Sequence, residues 1–385
     1  MLSQCQFGLR AAYNKSMQFA LIDESRYAEE MSQTVMPALA ACCDEGWFDP
    51  SDAEREAGLT PLAPGADPFA SSADGSAAHD GKLHYLCYDV TKFANLREPG
   101  ATAAFRGAVV LSHGFTEFAE KYSEMIWYFL LNGYSVCALD HRGHGKSARD
   151  MDNPSLVWID DWRRYVADLA GFAQTLGRSY ADGQPLHLYC HSMGGGIGAA
   201  VLERYPDLFD KAVLSCPMIA PATGMPNWLA RTLSETMCAL GMGRSRVFGQ
   251  TDFDGTLDLG SHPYSSHARE RWYHQMRCAH AEYQTYSAAF EWVRQSLRLS
   301  RAVLDRESCA AIETPLTLFQ AGHDVWVLNE PQNRFVERVQ AGGGSARLVR
   351  IDDSEHEIFS MPNAVLGPYL DQILEFFAEP ISESV

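Results

Sequence analysis

Three residues that lie far apart in the chain have the types and the order that nucleophilic acyl transfer requires: Ser192, Asp324 and His356. A serine hydroxyl is a poor nucleophile until a histidine takes its proton, and that histidine needs a carboxylate to fix its tautomer and stabilise its charge. Ser192 lies in the stretch LHLYCHSMGGG, where a strand-like apolar run meets small residues typical of a helix start. A G-x-S-x-G pattern at such a turn exposes the serine hydroxyl, although here Cys190 replaces the first glycine. The three residues predict hydrolysis of an ester or amide through an acyl-enzyme.

Two of the three roles have other candidates in the sequence. The chain order of serine, then acid, then histidine favours Asp324 and His356, because each follows a predicted strand and His356 follows the last one. The alternative acids are Asp352 and Asp353, and the alternative bases are His323, His113 and His144.

Acyl transfer also needs backbone N–H groups that stabilise the negative oxygen of the tetrahedral intermediate. In a strand–turn–helix arrangement these amides belong to the residue after the nucleophile and to a turn after an early strand, here Met193 and Phe115. Four neighbours shape the two turns, and we expect supporting roles for them: His113, Gly114, His191 and Gly194.

The elements that must hold these residues are short strands alternating with helices. Strands are predicted at residues 82–90, 107–112, 134–139, 185–190, 211–216, 315–320 and 346–351, and helices at residues 118–131, 158–176, 193–205, 331–340 and 365–378. This alternation predicts an α/β fold, with a mostly parallel central sheet flanked by helices. The functional loops of such a sheet lie at the carboxyl ends of its strands, where Ser192, Phe115, Asp324 and His356 all fall.

Two segments depart from this alternation. Residues 1–80 predict a helical extension, with helical spacing from about residue 19 to 43, and then a linker rich in Pro, Gly, Ala, Ser and Asp from residue 61 to 81. Residues 217–311 are rich in Met, Trp, Tyr and Phe without a clear buried strand, and predict a helical cap inserted between core segments 81–216 and 312–385. An apolar cap beside the nucleophile predicts an apolar substrate compartment.

The composition restricts the partners and the compartment. The 385 residues include 31 basic and 49 acidic side chains, and the net charge of −18 disfavours nucleic acid and electrostatic binding to anionic membranes. The ten cysteines lie mostly in apolar runs without a C-x-x-C pair, which indicates reduced, buried thiols. The sequence shows neither a secretory signal nor an apolar run of about 18 residues. We expect a cytoplasmic protein without a metal or a nucleotide cofactor.

Five stretches together resemble a known family: HGFTEFAEKYSEMIWYFLLNGYSVCALDHRGHGKS, DDWRRYVADL, CHSMGGG, AGHD and SEHEIF. They are similar to the monoacylglycerol lipase and lysophospholipase branch of the α/β-hydrolases, also called serine aminopeptidase S33-like, over residues 82–378. The resemblance implies an α/β-hydrolase fold, a carboxylic ester hydrolase, and a monoacylglycerol or lysophospholipid substrate. It implies Ser192 as nucleophile, Asp324 as acid and His356 as base. It also implies that the DHRGHGKS residues Asp140, His141, Arg142 and His144 support the active-site loops.

Other functions remain open at this stage. An S33-type aminopeptidase or amidase needs carboxylates near the substrate amine. The sequence does not show whether Glu203, Glu282, Glu291 or Glu307 lies near the active site. A short-chain carboxylesterase and a non-catalytic hydrolase-like binding protein are further alternatives, whereas dehalogenases and epoxide hydrolases use an aspartate where this chain has Ser192. We expect a small-molecule acyl ester as substrate, and transient contact of the cap with a membrane surface; the oligomeric state stays open.

Overall fold

The computed structural model describes residues 19–50, 81–93 and 104–380. The predicted linker from residue 61 to 81 therefore lies outside the described residues, apart from Gly81.

One eight-stranded sheet forms the centre of the described protein. Its strands are β1 (Cys43–Phe48), β2 (Leu83–Tyr88), β3 (Gly107–Ser112), β4 (Tyr134–Leu139), β5 (Leu186–His191), β6 (Lys211–Ser215), β7 (Leu316–Ala321) and β8 (Ala346–Ile351). Their spatial order is β1-β2-β4-β3-β5-β6-β7-β8. The six strands from β4 to β8 in this order are parallel, and β2 is antiparallel to both of its neighbours. The predicted α/β fold with a mostly parallel sheet is confirmed.

Helices cover both faces of the sheet, so its central strands are buried on both sides. The α-helices are α1 (Tyr27–Glu30), α2 (Met36–Cys42), α3 (Val90–Phe93), α4 (Ser123–Leu131), α5 (Arg163–Phe172), α6 (Arg178–Ala181), α7 (Ser192–Arg204), α8 (Asn227–Ala239), α9 (His267–Ala279), α10 (Phe290–Ala302), α11 (Arg306–Ala310), α12 (Asn329–Ala341) and α13 (Asn363–Ala378). Shorter 3-10 turns span Glu24–Arg26, Ala119–Tyr122, Ala281–Tyr283 and Ile358–Ser360, and π turns span Met31–Val35 and Ala173–Gly177.

The strands divide their side chains between two apolar cores. In β3, Val110 belongs to the core that includes α5 and α7, whereas Val109 and Leu111 belong to the core that includes α4 and α13. This alternation follows from the two-residue period of a strand. The sheet is thereby fixed against helices on both faces, which sets the positions of the loops at its strand ends.

The N-terminal extension is only partly as predicted. The predicted helix is present between Glu24 and Cys42, but Cys43–Phe48 forms a strand that the sequence analysis does not predict. Its residues, CDEGWF, lack the apolar run or strict alternation that predicts a strand, and all six are half-buried or exposed. It nevertheless pairs with β2 along its whole length, because β2 offers it a free sheet edge.

Residues 217–311, the predicted insertion, contain helices α8 to α11, joined by long irregular segments. Its helix α9 is fastened to the core by Arg269, whose guanidinium donates to both carboxylate oxygens of Glu124 at 2.7 Å and lies 3.6 Å from Glu24. A two-residue strand pair, Leu156–Val157 with Ser287–Ala288, also links the insertion to the core. Within the described ranges, the helices are all too short or too polar to cross a bilayer.

Candidate active site

The predicted nucleophile lies at a sharp turn between β5 and α7. Ser192 is the first residue of α7 and has φ of +51°, in the left-handed region that residues other than glycine rarely adopt. Gly194 allows this turn, because a Cβ on it would lie 2.6 Å from the carbonyl oxygen of His113 and still closer to that of Ser112. Gly194 therefore permits the close approach of α7 to the end of β3.

The departure from G-x-S-x-G has a structural explanation. Cys190 is fully buried at the end of β5, and its Sγ lies only 2.5 Å from where a Cβ on Gly198 would be. Gly198 lies one turn after Gly194 in α7. Because Gly198 has no side chain, the thiol of Cys190 fills the space beside it. A larger residue at position 190 is thus accommodated by a smaller one at position 198.

The structure brings the three predicted residues into one hydrogen-bonded chain. The Nε2 atom of His356 lies 2.7 Å from Ser192 Oγ, and its Nδ1 atom lies 2.7 Å from Asp324 Oδ2. With Nδ1–H donating to Asp324, Nε2 is free to accept the serine proton. Ser192 and His356 are each only 8% exposed, so their interaction is protected from solvent.

The environment of Asp324 keeps this carboxylate charged. Its burial acts to raise the pKa, but the hydrogen bond and charge of His356 outweigh burial and lower the pKa below the usual value. Its other oxygen accepts N–H groups from Trp326 at 2.9 Å and Val327 at 3.0 Å. The carboxylate is therefore oriented from both sides.

The alternative acids and bases have other contacts. Asp352 and Asp353 are exposed, and the first accepts a hydrogen bond from Arg350 at 2.6 Å. His323 is exposed and stacks on the ring of Tyr264. His113 accepts from the amide of His141, and His144 contacts the carbonyl of Arg142, which is compatible with structural roles for both.

The turn after β3 passes directly against the nucleophile. A Cβ on Gly114 would lie 3.0 Å from Ser192 Cβ, and Phe115 follows this glycine. The next residue, Thr116, has φ of +63°, so the turn is tight. Met193 follows Ser192 at the start of α7. The two amides predicted to bind an oxyanion thus belong to adjoining turns, and their role stays a prediction.

The DHRGHGKS segment lies beneath the turn after β3. Asp140 accepts hydrogen bonds from the amides of Ala119 at 2.7 Å and Lys146 at 3.0 Å, and from the ring of His84 at 2.8 Å. His141 Nε2 lies 2.8 Å from Ser112 Oγ. Arg142 forms an ion pair with Asp168 in α5. Apart from the Lys146 bond, which lies within the segment, these contacts join it to other parts of the core, in line with the supporting role that the resemblance implies.

Three charged residues beside the site were missed by the sequence analysis: Glu117, Lys121 and Glu357. The Lys121 ammonium lies 2.7 Å from Glu117 and 2.6 Å from Glu357, which directly follows His356. Glu117 and Lys121 have the i, i+4 spacing of a helical ion pair, so a signal was present in HGFTEFAEKY. The contact with Glu357 spans 236 positions, and the sequence contains no signal for it.

Among the described residues, two groups of side chains have donors within 4.8 Å of one another, as a metal site requires: Cys216, Asp324 and His356, and Glu117, His191 and Glu357. The first shares two residues with the hydrogen-bonded chain described above. In the second, the Lys121 ammonium already binds both carboxylates. Burial and the charge of His356 lower the pKa of His191 well below its usual value, so its ring is neutral at neutral pH.

The sequence and the fold were compared with known proteins. Residues 103–363 match the family described as serine aminopeptidase, S33. Lysophospholipase L2 of Escherichia coli is 29% identical over 289 residues, covering 70% of this chain and 79% of that protein. A soluble variant of monoglyceride lipase from Saccharomyces cerevisiae, solved with a substrate analog, has a TM-score of 0.59 at 20% identity, covering 83% of this chain and 98% of the other.

A further solved structure supports the same fold. The thermostable carboxyl esterase from Bacillus coagulans, solved with glycerol, has a TM-score of 0.61 at 15% identity, covering 87% of this chain and 97% of the other. Since the family match spans most of the chain, the resemblance noted in the motifs is confirmed. The chain belongs to the serine aminopeptidase S33 family of α/β-hydrolases.

Proposed function

We propose that this hydrolase cleaves carboxylic esters of single-chain acyl lipids. Ser192 is the nucleophile, His356 is the general base, and Asp324 is the acidic residue whose carboxylate orients His356. The hydrogen-bonded chain from Ser192 Oγ through His356 to Asp324, 2.7 Å at each step, carries the proposal. In this arrangement His356 can take the proton of Ser192 as the serine attacks, while Asp324 orients the imidazole and stabilises its positive charge.

The reaction would proceed in two balanced steps. The Ser192 Oγ atom attacks the ester carbonyl as its proton passes to His356 Nε2, and the amides of Phe115 and Met193 stabilise the oxyanion. The alkoxy oxygen then leaves with that proton, which frees the alcohol and an acyl-enzyme. Water repeats the attack, again losing a proton to His356. The acyl–serine bond breaks, the proton returns to Ser192, and the fatty acid is released.

The cap supports an acyl-chain substrate. The Phe115 ring, in the turn beside the nucleophile, lies 4.0 Å from the ring of Trp292 in α10. The ring of Phe118 lies 3.7 Å from that of Tyr283, also in the insertion. Aromatic residues of the insertion thus approach the predicted oxyanion turn. Relatives of the family include a lysophospholipase and a monoglyceride lipase, which supports a monoacylglycerol or a lysophospholipid as substrate.

An aminopeptidase is the second candidate, because the family is described by that activity. A free substrate amine would need unpaired carboxylates beside the nucleophile. Two carboxylates close to His356, those of Glu117 and Glu357, are instead paired with Lys121. Glu291, another residue considered from the sequence, is paired with Arg294. These pairings favour the ester substrate.

The substrate class can be tested by comparing kcat/KM for four compounds. These are a monoacylglycerol and a lysophospholipid with the same long acyl chain, a short-chain nitrophenyl ester, and an amino-acid arylamide. We expect the better long-chain ester to exceed the arylamide by at least about 100-fold and to improve as its chain lengthens, since each buried methylene contributes about 0.8 kcal/mol. A preference for the arylamide would establish the aminopeptidase, and a preference for the short ester a short-chain carboxylesterase.

We also propose that the cap contacts lipid surfaces. Trp228 in α8 is 66% exposed, and Val325 and Trp326, directly after Asp324, are 73% and 59% exposed. The amide of Ala222 donates to the carbonyl of Trp326 at 2.9 Å, so the start of the insertion adjoins this loop. Exposed aromatic and aliphatic side chains around a lipid-hydrolysing site favour contact with the interface where the substrate resides.

Vesicle flotation tests the lipid contact. The protein should float with neutral phosphatidylcholine vesicles, and the Trp228→Ser/Val325→Ser double variant should bind about tenfold more weakly because it exposes less apolar surface. Leu348→Ser, which changes an exposed residue of β8, is the matched control. Equal flotation of the double variant and the control would contradict the proposal.

The cysteines support a reducing compartment. The nine cysteines among the described residues are all free, and most are buried. Free thiols are typical of the cytoplasm, and we propose that location.

A further inference from the structure

A single buried ammonium lies between the turn after β3, the loop of His356 and the cap. Lys121 is 3% exposed, as is Glu117, and Glu357 is 28% exposed. The Lys121 Nζ atom donates to Glu117 Oε1 at 2.7 Å and to Glu357 Oε1 at 2.6 Å. It also lies 4.0 Å from the centre of the Tyr273 ring in α9, which is a cation–π contact. Three segments that are distant in sequence therefore share one cation.

The Glu117 carboxylate connects this ammonium to the predicted oxyanion turn. Its Oε2 atom accepts the amide of Gly114 at 2.5 Å and the hydroxyl of Tyr122 at 2.5 Å. Gly114 directly precedes Phe115, whose amide we expect to bind the oxyanion. Tyr273 acts on the same turn from the cap, because its hydroxyl donates to the carbonyl of Thr116 at 3.2 Å. A shift of Glu117 would thus be transmitted to the Phe115 amide through one residue.

The Glu357 carboxylate connects the ammonium to the predicted base. It belongs to the residue after His356, and its Oε2 accepts the hydroxyl of Ser360 at 3.1 Å. The loop that holds His356 is thereby fixed between Lys121 and the 3-10 turn Ile358–Ser360.

The charges in this cluster depend on Lys121. Burial acts to raise the pKa of Glu117, but the charge and hydrogen bond of Lys121 lower it below the usual value. Glu270 in α9 has a pKa raised to about 7 by burial and by the charge of Glu357. The titratable and charged groups around Lys121 and His356 include Glu117, Tyr122, His191, Glu270, Tyr273, Asp324, Glu355 and Glu357, and also His113, His262 and Arg277. Lys121 is the cation that donates directly to two carboxylates of this group.

We infer that Lys121 is a positioning residue for the proposed reaction. Through Glu117 it orients the amide of the oxyanion turn, and through Glu357 it fixes the loop of the general base. The inference rests on the proposed function, because it assigns to Lys121 the relative placement of two parts of that machinery. A buried ammonium that donates to two carboxylates in fixed geometry is suited to this role, since small displacements of reacting groups lower turnover strongly.

The test compares Lys121→Met with Lys121→Arg on a soluble acyl ester. We expect Lys121→Met to lower kcat by about 10- to 100-fold with KM nearly unchanged, because geometry is lost but the acyl compartment is not. Lys121→Arg keeps the charge and two donors, and should recover part of the loss. Lys92→Met is the matched control, since Lys92 forms an exposed ion pair with Asp44 at 2.7 Å. An unchanged kcat in Lys121→Met, or a loss confined to KM, would overturn the inference.

The pH profile separates positioning from general destabilisation. Without Lys121, the carboxylate of Glu357 lacks its ion-pair partner beside His356 and favours the protonated imidazole, so the acidic limb of kcat/KM should move to higher pH. Adding Glu357→Gln to Lys121→Met removes that charge, and the limb should return while kcat stays low. A limb that stays at the wild-type pH in Lys121→Met would contradict the assigned charge balance and overturn the inference.

Two further measurements keep the outcomes distinct. Where Lys121→Met does not fold, Glu357→Ala alone removes one arm of the cluster and should lower kcat by about three- to tenfold; a wild-type kcat would then refute the inference. Labelling of wild type by a fluorophosphonate tests the proposed function separately. If Ser192 is not labelled, the proposed function fails, whereas a labelled enzyme that is insensitive to Lys121→Met refutes only the positioning role.

Discussion

Replacing Ser192 with alanine is expected to lower kcat/KM for an acyl ester by about 10⁴- to 10⁶-fold, with little change in thermal stability. The hydroxyl oxygen of Ser192 forms the acyl-enzyme. Within this hydrogen-bonded chain, His356 has no other nucleophile to deprotonate. The strained turn remains in the variant, because Gly194 and the backbone of β3 are unchanged. Steady-state kinetics and mass-spectrometric detection of a fluorophosphonate adduct on Ser192 measure the two consequences.

Ser296→Ala is the matched control for this variant. Ser296 is 5% exposed in α10, and its hydroxyl donates to the carbonyl of Trp292 at 2.9 Å. The control removes a buried hydroxyl from the cap without changing the nucleophile, so its activity should stay close to that of wild type. If Ser192→Ala hydrolyses the ester as fast as Ser296→Ala, Ser192 is not the nucleophile.

Asp324→Asn is expected to lower kcat by about 10⁴-fold. An amide at this position can donate to Nδ1 of His356, which would favour the tautomer whose Nε2 carries the proton and cannot accept one from Ser192. The lowered pKa of Asp324 means that wild type keeps this carboxylate charged at neutral pH. The measurement is single-turnover acylation against pH, which isolates the step that this tautomer blocks.

Asp353→Asn provides the comparison, because Asp353 lies close in sequence to His356 but is exposed. It should retain wild-type acylation. Full activity in Asp324→Asn together with a large loss in Asp353→Asn would show that the acid had been assigned to the wrong strand end.

The chain order and the strand ends are the parts that the sequence predicts best. Continuous apolar runs such as Gly107–Ser112 have few alternatives in an α/β protein, and their carboxyl ends must meet at one edge. Topology therefore predicts that Ser192, Asp324 and His356 lie at one edge, and the family resemblance selects them over Asp352, Asp353 and His323, which follow the same strands. The structure adds the two 2.7 Å contacts that make the grouping chemically specific.

What the sequence did not predict depends on tertiary contacts between distant segments. In the sequence, Cys190 is only a departure from the G-x-S-x-G motif. In the fold, its Sγ occupies the space beside Gly198. Lys121 looks like one half of a local helical pair, and only the fold brings Glu357 to its other side. The aromatic residues of the insertion have no periodicity that separates buried Trp292 from exposed Trp228, because burial there depends on packing against the core.

Strand β1 has a consequence for how the hydrolase core can be used in isolation. A chain shortened to begin near residue 81, where the sequence suggests a domain boundary, would lose the strand that pairs with β2 from Tyr88 to Leu83. The unpaired amides and carbonyls of β2 would then be open to pairing with another molecule, which is a common origin of aggregation. In the full chain β1 pairs with this edge of β2, so a shortened version of the enzyme should retain residues 43–48.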